Sequence, residues 1–406
     1  MSKLHHERRR DDQSWIFDWI VQETGQVQNW DRPESRGLPR EVRNYAMIPK
    51  HVGRQGLHRE AVARAAEKAG HTQTAIAAYQ QAIMSYHTAQ HSIYTDDSEE
   101  KIRWYGRLAA CFERIVALSK NPMERIEVPW EGNEIQVAYS PLPAGQQQAP
   151  CLIIVPGMDD VKERAVFTFS GLCRERGLHM LAMDGPGQGA SNLRKIRITA
   201  DNYERAVSSV IDYVTTRPEV DPDNILLLGM GTGSLWAIRA AAHDSRFRAV
   251  AAGPSTVFGD VTAAFEQVSP RYKRVYMYMA GIHDENEFDE QVASRLTTFG
   301  VGKHITCPAL LVQGEYDPMS PLEDGMQLFE DLAGPKEFWI LEDGVHGGTI
   351  SHSGLGNLKG APFMVDWLAG VALRDAIGED HRRVKWIPPN SGCGPYDCGE
   401  EQEALC

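Results

Sequence analysis

The chain has 406 residues, 42% of them hydrophobic and 24% charged, and a formal net charge of −13 at pH 7. Its length exceeds one typical domain, so a large core with an added domain is expected. The acidic balance speaks against nucleic acid or an anionic membrane as a partner, since both select basic surface, and no apolar run approaches the ~20 residues needed to span a bilayer.

The first residues, MSKLHHERRRDD, carry basic charge with no apolar stretch behind them, so they do not read as a secretory signal. Seven cysteines, an odd number scattered over a long chain, fit free thiols in a reducing compartment. The cytoplasm is the expected location.

Residues 1–122 read as a helical block. Apolar residues recur at helical spacing over 59–90, with a break at Gly70, and again over 98–118 behind Asp96 and Asp97, acidic residues that suit a helix start. The helix pair around Gly70 has the look of one repeat unit, but a single unit cannot bury a solenoid core. Tyr79, His87, His91 and Tyr94 follow at steps of eight, four and three, which puts them on one broad helix face. That face reads as a packing seam or as the wall of a substrate pocket; a metal pair from His87 and His91 lacks a third ligand, so no metal is expected.

After Pro122 the pattern alternates over 123–130 and 134–139 around a turn at 131–133, the signature of a hairpin. Apolar strands then follow at 151–155, 179–183, 225–228, 247–252, 308–313 and 337–341, with helices between them up to a last one over 362–373. Strands alternating with helices imply right-handed crossovers and a doubly wound, mostly parallel sheet of about eight strands. Residues 259–302 interrupt the alternation with a helical, tyrosine-rich insertion placed where a lid would lie. The expected layout is therefore a cap over 1–122, an α/β core over 123–376 with a lid at 259–302, and a flexible tail over 377–406.

The organising stretch is ILLLGMGTGSLWAIRAAAH, residues 225–243. A strand buried on both faces runs through a tight glycine turn into a small-residue helix, which is the layout of the nucleophile elbow G-x-S-x-G. Gly231 stands at the nucleophile position. Asp317 and His346 each follow a later apolar strand, where the acid and the histidine of such a site belong, and His352 is a fallback for the latter. The oxyanion donors would be backbone N–H groups of Thr232 and of Met158 in the loop after residue 155. Neither Thr232 nor Ser234 is placed to replace a serine, and Cys393 and Cys398 in the tail could hold a metal only with ligands from elsewhere.

GMDDVKERAVF, MDGPGQGAS, TTRPEVDPDNILLLG, GEYDP and DGVH together resemble the α/β-hydrolase family of 2,6-dihydroxypseudooxynicotine hydrolase and of the fungal yellowish-green pigment hydrolases, over roughly residues 75–375. The resemblance implies an α/β-hydrolase fold with a helical N-terminal cap, no metal or organic cofactor, and cleavage of carbon–carbon bonds beside carbonyls in aromatic ketones and polyketides, or of esters. It carries the catalytic serine, aspartate and histidine onto Gly231, Asp317 and His346, and Gly231 departs from the pattern. It also allows a homodimer.

Three functions fit. The first is acid–base chemistry by His346 and Asp317 on an aromatic or polyketide-like carbonyl compound in secondary metabolism, by condensation, cyclisation, elimination or cleavage, without a covalent step. The second is a serine hydrolase of carbon–carbon bonds or esters disabled by a Ser-to-Gly change. The third is a non-catalytic small-molecule binder.

Overall fold

The computed structural model describes residues 39, 41–143, 148–158, 160–254, 257–268, 270–346, 360–374, 377–388 and 395–396. His352, Cys393 and Cys398 lie outside them, as do residues 1–38 of the expected cap.

Three long helices make the described part of the cap: α1 (Ile48–Lys68), α2 (Thr72–His91) and α3 (Glu99–Leu118). Ser98 caps α3 by accepting from Lys101 N at 3.3 Å, and Glu99 and Glu100 in the first turn complement the helix dipole. Small residues on α1 and α2, among them Ala63, Ala75 and Ala82, let Tyr86, Leu108 and Phe112 close the space between the helices, all fully buried apart from traces.

The core elements follow as β1 (Glu124–Trp130), β2 (Asn133–Ser140), β3 (Ala149–Val155), α4 (Lys162–Glu175), β4 (His179–Asp184), α5 (Gly189–Leu193), α6 (Asn202–Val214), β5 (Val220–Gly229), α7 (Gly233–His243) and β6 (Phe247–Ala252). The insertion supplies α8 (Val261–Gln267), α9 (Pro270–Ala280) and α10 (Glu285–Gln291). The series closes with β7 (Ala309–Gly314), α11 (Leu322–Asp331), β8 (Lys336–Leu341), α12 (Gly360–Leu373) and β9 (Arg382–Ile387).

The nine strands form one sheet in the order β1-β2-β4-β3-β5-β6-β7-β8-β9. The β1–β2 and β2–β4 pairs are antiparallel, and every other pair is parallel. This is the expected doubly wound architecture. The predicted hairpin is β1–β2, turning through Glu131 and Gly132, both at positive φ.

Successive residues of β3 and β5 point to opposite faces, as the two-residue period requires. Ile153, Val155, Ile225 and Leu227 join the core under α6, α7 and the insertion. Leu152, Ile154, Leu226 and Leu228 join the core that holds α4 and α12 and runs without a break into the cap helices. The cap is thus seated on the sheet through one shared apolar core.

One expectation is corrected. Part of the predicted flexible tail, residues 382–387, is the edge strand β9, paired in register from Arg382 opposite Lys336 to Ile387 opposite Leu341. Its side chains are mostly exposed, so no apolar run announces it; the backbone ladder on β8 and the Arg382–Glu330 ion pair supply its order.

Candidate active site

β5, β7 and β8 are parallel members of one sheet, with Gly229 level with Ala252, Ala252 with Leu311, and Gly314 with Leu341. The loops bearing Gly231, Asp317 and His346 therefore all leave the carboxyl edge, where open α/β sheets hold their ligands.

The elbow glycines differ in what they are for. A Cβ at Gly229 would lie 2.1 Å from Gly233 O, and one at Gly233 would lie 2.1 Å from Val155 O. Those two positions are closed to any larger residue. A Cβ at Gly231 would meet nothing nearer than Gly157 Cα at 3.4 Å. Crowding does not require glycine there; the backbone does favour it, because φ is +59°. Of the neighbouring hydroxyls, Ser234 Oγ donates to Gly231 O at 2.7 Å and accepts from Val257 N at 2.9 Å, while Thr232 Oγ1 accepts from buried Tyr276 at 2.7 Å.

Asp317 is held by the turn after β7, where its Oδ1 accepts from Met319 N at 2.9 Å and its side chain is fully buried. His346 Nδ1 stands 3.0 Å from Oδ1 and 2.9 Å from Oδ2 of that carboxylate. A carboxylate can only accept, so Nδ1 carries the proton and the lone pair of the ring is on Nε2. The His346 side chain keeps 16% of its surface.

The loop carrying Met158 lies against the elbow: a Cβ at Gly157 would sit 3.3 Å from Met230 O and 3.9 Å from Thr232 N. Buried Gln188 fixes this loop. Its Nε2 lies 3.1, 2.8 and 2.7 Å from the carbonyl oxygens of Pro156, Gly157 and Met158, while its Oε1 accepts from Gly185 N and Tyr203 OH. Those carbonyls are thereby held on the Gln188 side of the loop. Gln188 escaped sequence reading because it looked like one more residue of a glycine-rich turn.

The four residues of the predicted cap face divide. His87 and His91 stack at 5.3 Å, and His87 Nε2 lies 3.6 Å from Asp160 Oδ1 at the far end of the Met158 loop. Tyr94 accepts from Arg271 Nε of α9 at 2.9 Å and bonds with Tyr45. Tyr79 is the exception. It turns to the cap interior, is 2% exposed and donates to Glu67 at 2.7 Å, because it sits at the rim of the helical arc, nearest α1.

Burial above all, then the charges of Arg271, His87 and Lys101, hold His91 well below the usual histidine range. Asp160 stays well below the usual carboxylate range: burial opposes its charge, but Arg164 and His87 outweigh that. A cavity of about 830 Å³ lies elsewhere, over Glu337 toward the amino end of β8, and contains none of these residues. No described helix is long and apolar enough to cross a membrane, and among the described residues no group of three potential metal ligands gathers.

The family model of FrsA-like esterases matches residues 52–338. The chain belongs to that family. A 2,6-dihydropseudooxynicotine hydrolase of Paenarthrobacter nicotinovorans is 26% identical over 70% of this chain and 74% of its own. The hydrolase pyiE of Pyricularia grisea is 26% identical over 74% of this chain and 69% of its own. The α/β hydrolase gkaG of Penicillium citrinum is 30% identical, but the match spans only about half of each chain, 49% and 48%. The crystal structure of a 2,6-dihydroxy-pseudo-oxynicotine hydrolase superposes with a TM-score of 0.72 over 86% of this chain and 94% of that one, at 23% identity. The fold is that of the α/β-hydrolases.

Proposed function

We propose that the protein is a cap-covered enzyme that moves a proton beside the carbonyl of an aromatic or polyketide-like small molecule, in secondary metabolism, without an acyl-enzyme. The observation that carries this reading is the Asp317–His346 pair, bonded at 2.9–3.0 Å beside an elbow whose middle residue has no side chain. His346 Nε2 takes the proton next to the carbonyl, and Asp317 stabilises the imidazolium. The N–H groups of Thr232 and Met158 hold the enolate oxygen. The proton then returns to the departing or newly formed group, so the enzyme ends as it began. None of these steps calls for a metal or organic cofactor, and the net charge of −13 suits a small-molecule partner better than nucleic acid or an anionic membrane. The relative that hydrolyses 2,6-dihydropseudooxynicotine and the fungal α/β hydrolases support a small organic substrate.

A second reading is favoured by the open space at residue 231: a serine hydrolase disabled at its nucleophile. Turnover of aromatic ketones and hydrolysis of p-nitrophenyl acetate separate the two. On the first reading His346→Ala lowers ketone turnover at least ~100-fold, the scale of general acid–base catalysis, while Gly231→Ser preserves it or diverts it to hydrolysis. A chain inert on ketones in which Gly231→Ser alone switches on ester hydrolysis establishes the second. The chain as it stands escapes fluorophosphonate labelling on either reading.

A further inference from the structure

The run DGPGQG, residues 184–189, joins β4 to α5 and contains none of Gly231, Asp317 and His346. Its Gln188 is nevertheless bound to the loop beside the elbow. The residue is fully buried, and its backbone is fixed on both sides: its N–H donates to Gly185 O at 3.0 Å, and its carbonyl accepts from Asn192 N at 2.9 Å. Three acceptors stand on one side of the amide, the carbonyls of Pro156, Gly157 and Met158. Two donors stand on the other, Gly185 N at 3.0 Å and the Tyr203 hydroxyl at 2.6 Å. That division places Nε2 toward the loop and Oε1 toward Gly185 and Tyr203, since an amide nitrogen donates and its oxygen accepts.

The course of the Met158 loop depends on that nitrogen. Converging carbonyl dipoles repel one another, and a buried carbonyl without a donor is costly. The Gly157 carbonyl and the Met158 N–H belong to one trans peptide unit and point in opposite directions. Drawing the carbonyl to Gln188 therefore turns the N–H away from it. Neither this N–H nor that of Thr232 enters a backbone hydrogen bond among the described residues.

The same residue is tied to the other side of the elbow. Tyr203 fits beside Gln188 because residue 185 is glycine; a Cβ there would lie 2.3 Å from the tyrosine ring. That ring stacks on Trp236 of α7 with centroids 4.3 Å apart, and Trp236 lies 6.4 Å from the ring of Tyr276. Tyr276 donates in turn to Thr232 Oγ1 at 2.7 Å. Gln188, Tyr203, Trp236 and Tyr276 are each no more than 1% exposed. One buried series of side chains thus runs from the Met158 loop to Thr232.

We infer, on the reading of Met158 and Thr232 N–H as the oxyanion donors, that Gln188 is the positioning residue of that donor pair. It sets the direction of the Met158 N–H and, through Tyr203, ties it to the elbow that carries Thr232. A carboxyl in place of the amide gives this role a pH signature. While protonated, the side chain of Gln188→Glu donates once to the loop and accepts from Gly185 and Tyr203. Ionised, it only accepts and repels the three carbonyls.

The test is made on the full chain in a Gly231→Ser background, where a serine reports on the donors whichever substrate the protein takes. The probe is a fluorophosphonate, whose phosphoryl oxygen occupies the oxyanion site as the serine attacks. Gln188→Leu should slow the covalent step at least ~10-fold at every pH, against the roughly 10²–10³ that a lost donor costs, with the affinity of the preceding encounter unchanged. Gln188→Glu should label near the parent's rate at pH 5 and fall toward the Gln188→Leu rate by pH 8. Each rate is divided by the parent's at the same pH, so the parent's own pH dependence cancels. A Gln188 that only packs would lower the melting temperature of its variants and leave that ratio flat. A Gln188→Leu rate equal to the parent's, a flat ratio for Gln188→Glu, or a Gly231→Ser chain that takes no label overturns the assignment. Should the Gln188 variants fail to fold by circular dichroism, Tyr203→Phe decides. It keeps the ring on Trp236, deletes one bond to Oε1 and should slow labelling about two- to fivefold; labelling at the parent's rate overturns the assignment there too. The two proposals fail separately. Ketone turnover that ignores His346→Ala removes the catalytic reading and leaves the labelling result standing. Labelling indifferent to residue 188 removes only the role of Gln188.

Discussion

Two polar clusters lie between cap and core, and they are built in opposite ways. In the first, Lys162 Nζ of α4 sits 2.9 Å from Asp184 Oδ2, 2.8 Å from Glu163 Oε1 and 3.0 Å from the Tyr105 hydroxyl of the cap. Asp184 also accepts from Lys162 N and Ala190 N, at 2.7 and 2.9 Å, and both charged side chains of the Lys162–Asp184 pair have no exposed surface. In the second, His91, Tyr94, Asp160 and Arg271 keep part of theirs. The sealed cluster spends its charges on itself, leaving Glu163 Oε2 as its one buried oxygen without a hydrogen bond among the described residues, and it ties the cap to the start of α4. The other is half-buried and links the cap to the insertion and to the Met158 loop through Tyr94–Arg271 and His87–Asp160.

The largest effect should come from unbalancing the sealed cluster. Burial alone would strip Lys162 of its proton, but Asp184 and Glu163 outweigh that and hold its pKa well above the usual lysine value. Lys162→Met leaves two carboxylates buried with no cation between them, and breaking a buried pair from one side costs about 3–5 kcal/mol. Urea unfolding followed by circular dichroism should show a loss of that size. A change under ~1 kcal/mol would mean that water reaches the cluster, and the contrast between the two regions would collapse.

The sequence carried the core of this arrangement further than its boundary with the cap. The elbow was readable because Gly229 and Gly233 are forced by backbone contacts, and Asp317 and His346 because each follows an apolar strand of the same sheet. Gly-rich turns and apolar runs are local signals. A lysine and a glutamate at a helix start carry no local sign of burial, and only the cap's Tyr105 and the end of β4 enclose Lys162 and Glu163. Arg271 lay on a helix rich in basic and aromatic residues, with nothing in its spacing to set it apart from Lys273 or Arg274. Tyr79 shared the arc of His87 and His91, yet a turn of the helix sent it to Glu67. β9 follows the same rule, since an exposed edge strand leaves no apolar trace. What depends on which side chain meets which across two domains is absent from local pattern.

A smaller effect sharpens the other side of the comparison. Tyr94→Phe should change stability by no more than ~1 kcal/mol, since Tyr94 is half-buried, whereas His87→Ala removes a buried ring stacked on His91 and should cost about 2 kcal/mol. Binding should respond as well. On the proposed reading of this face as a wall of the site, Tyr94→Phe should weaken binding of an aromatic ketone about three- to tenfold by calorimetry with the melting temperature little moved. If both variants keep affinity, this face is packing and nothing more.

The smallest effect is a pH dependence, and its sign follows from His91. Burial first, then the positive field of Arg271, His87 and Lys101, lowers its pKa well below the ordinary histidine value, with Asp160 alone pulling the other way. The unfolded chain therefore binds a proton at His91 below pH ~6.5 that the folded protein refuses, so stability rises with pH in that window. The contribution is whole above pH ~6.5 and erodes as pH falls from there toward the folded value. His179 adds in the same direction: it is also lowered by burial, and its Nδ1 accepts from Leu142 N at 3.0 Å. His91→Phe keeps a ring against His87 while removing one titrating group. At pH 7.5 the variant should match the wild type closely. Between pH 6.5 and 5.5 its stability should fall less steeply, by up to one proton's worth, about 1.4 kcal/mol per pH unit. Parallel stability profiles for the two proteins across that range would mean that His91 takes up its proton in the folded state, and that water or Asp160 reaches its ring more closely than the buried geometry implies.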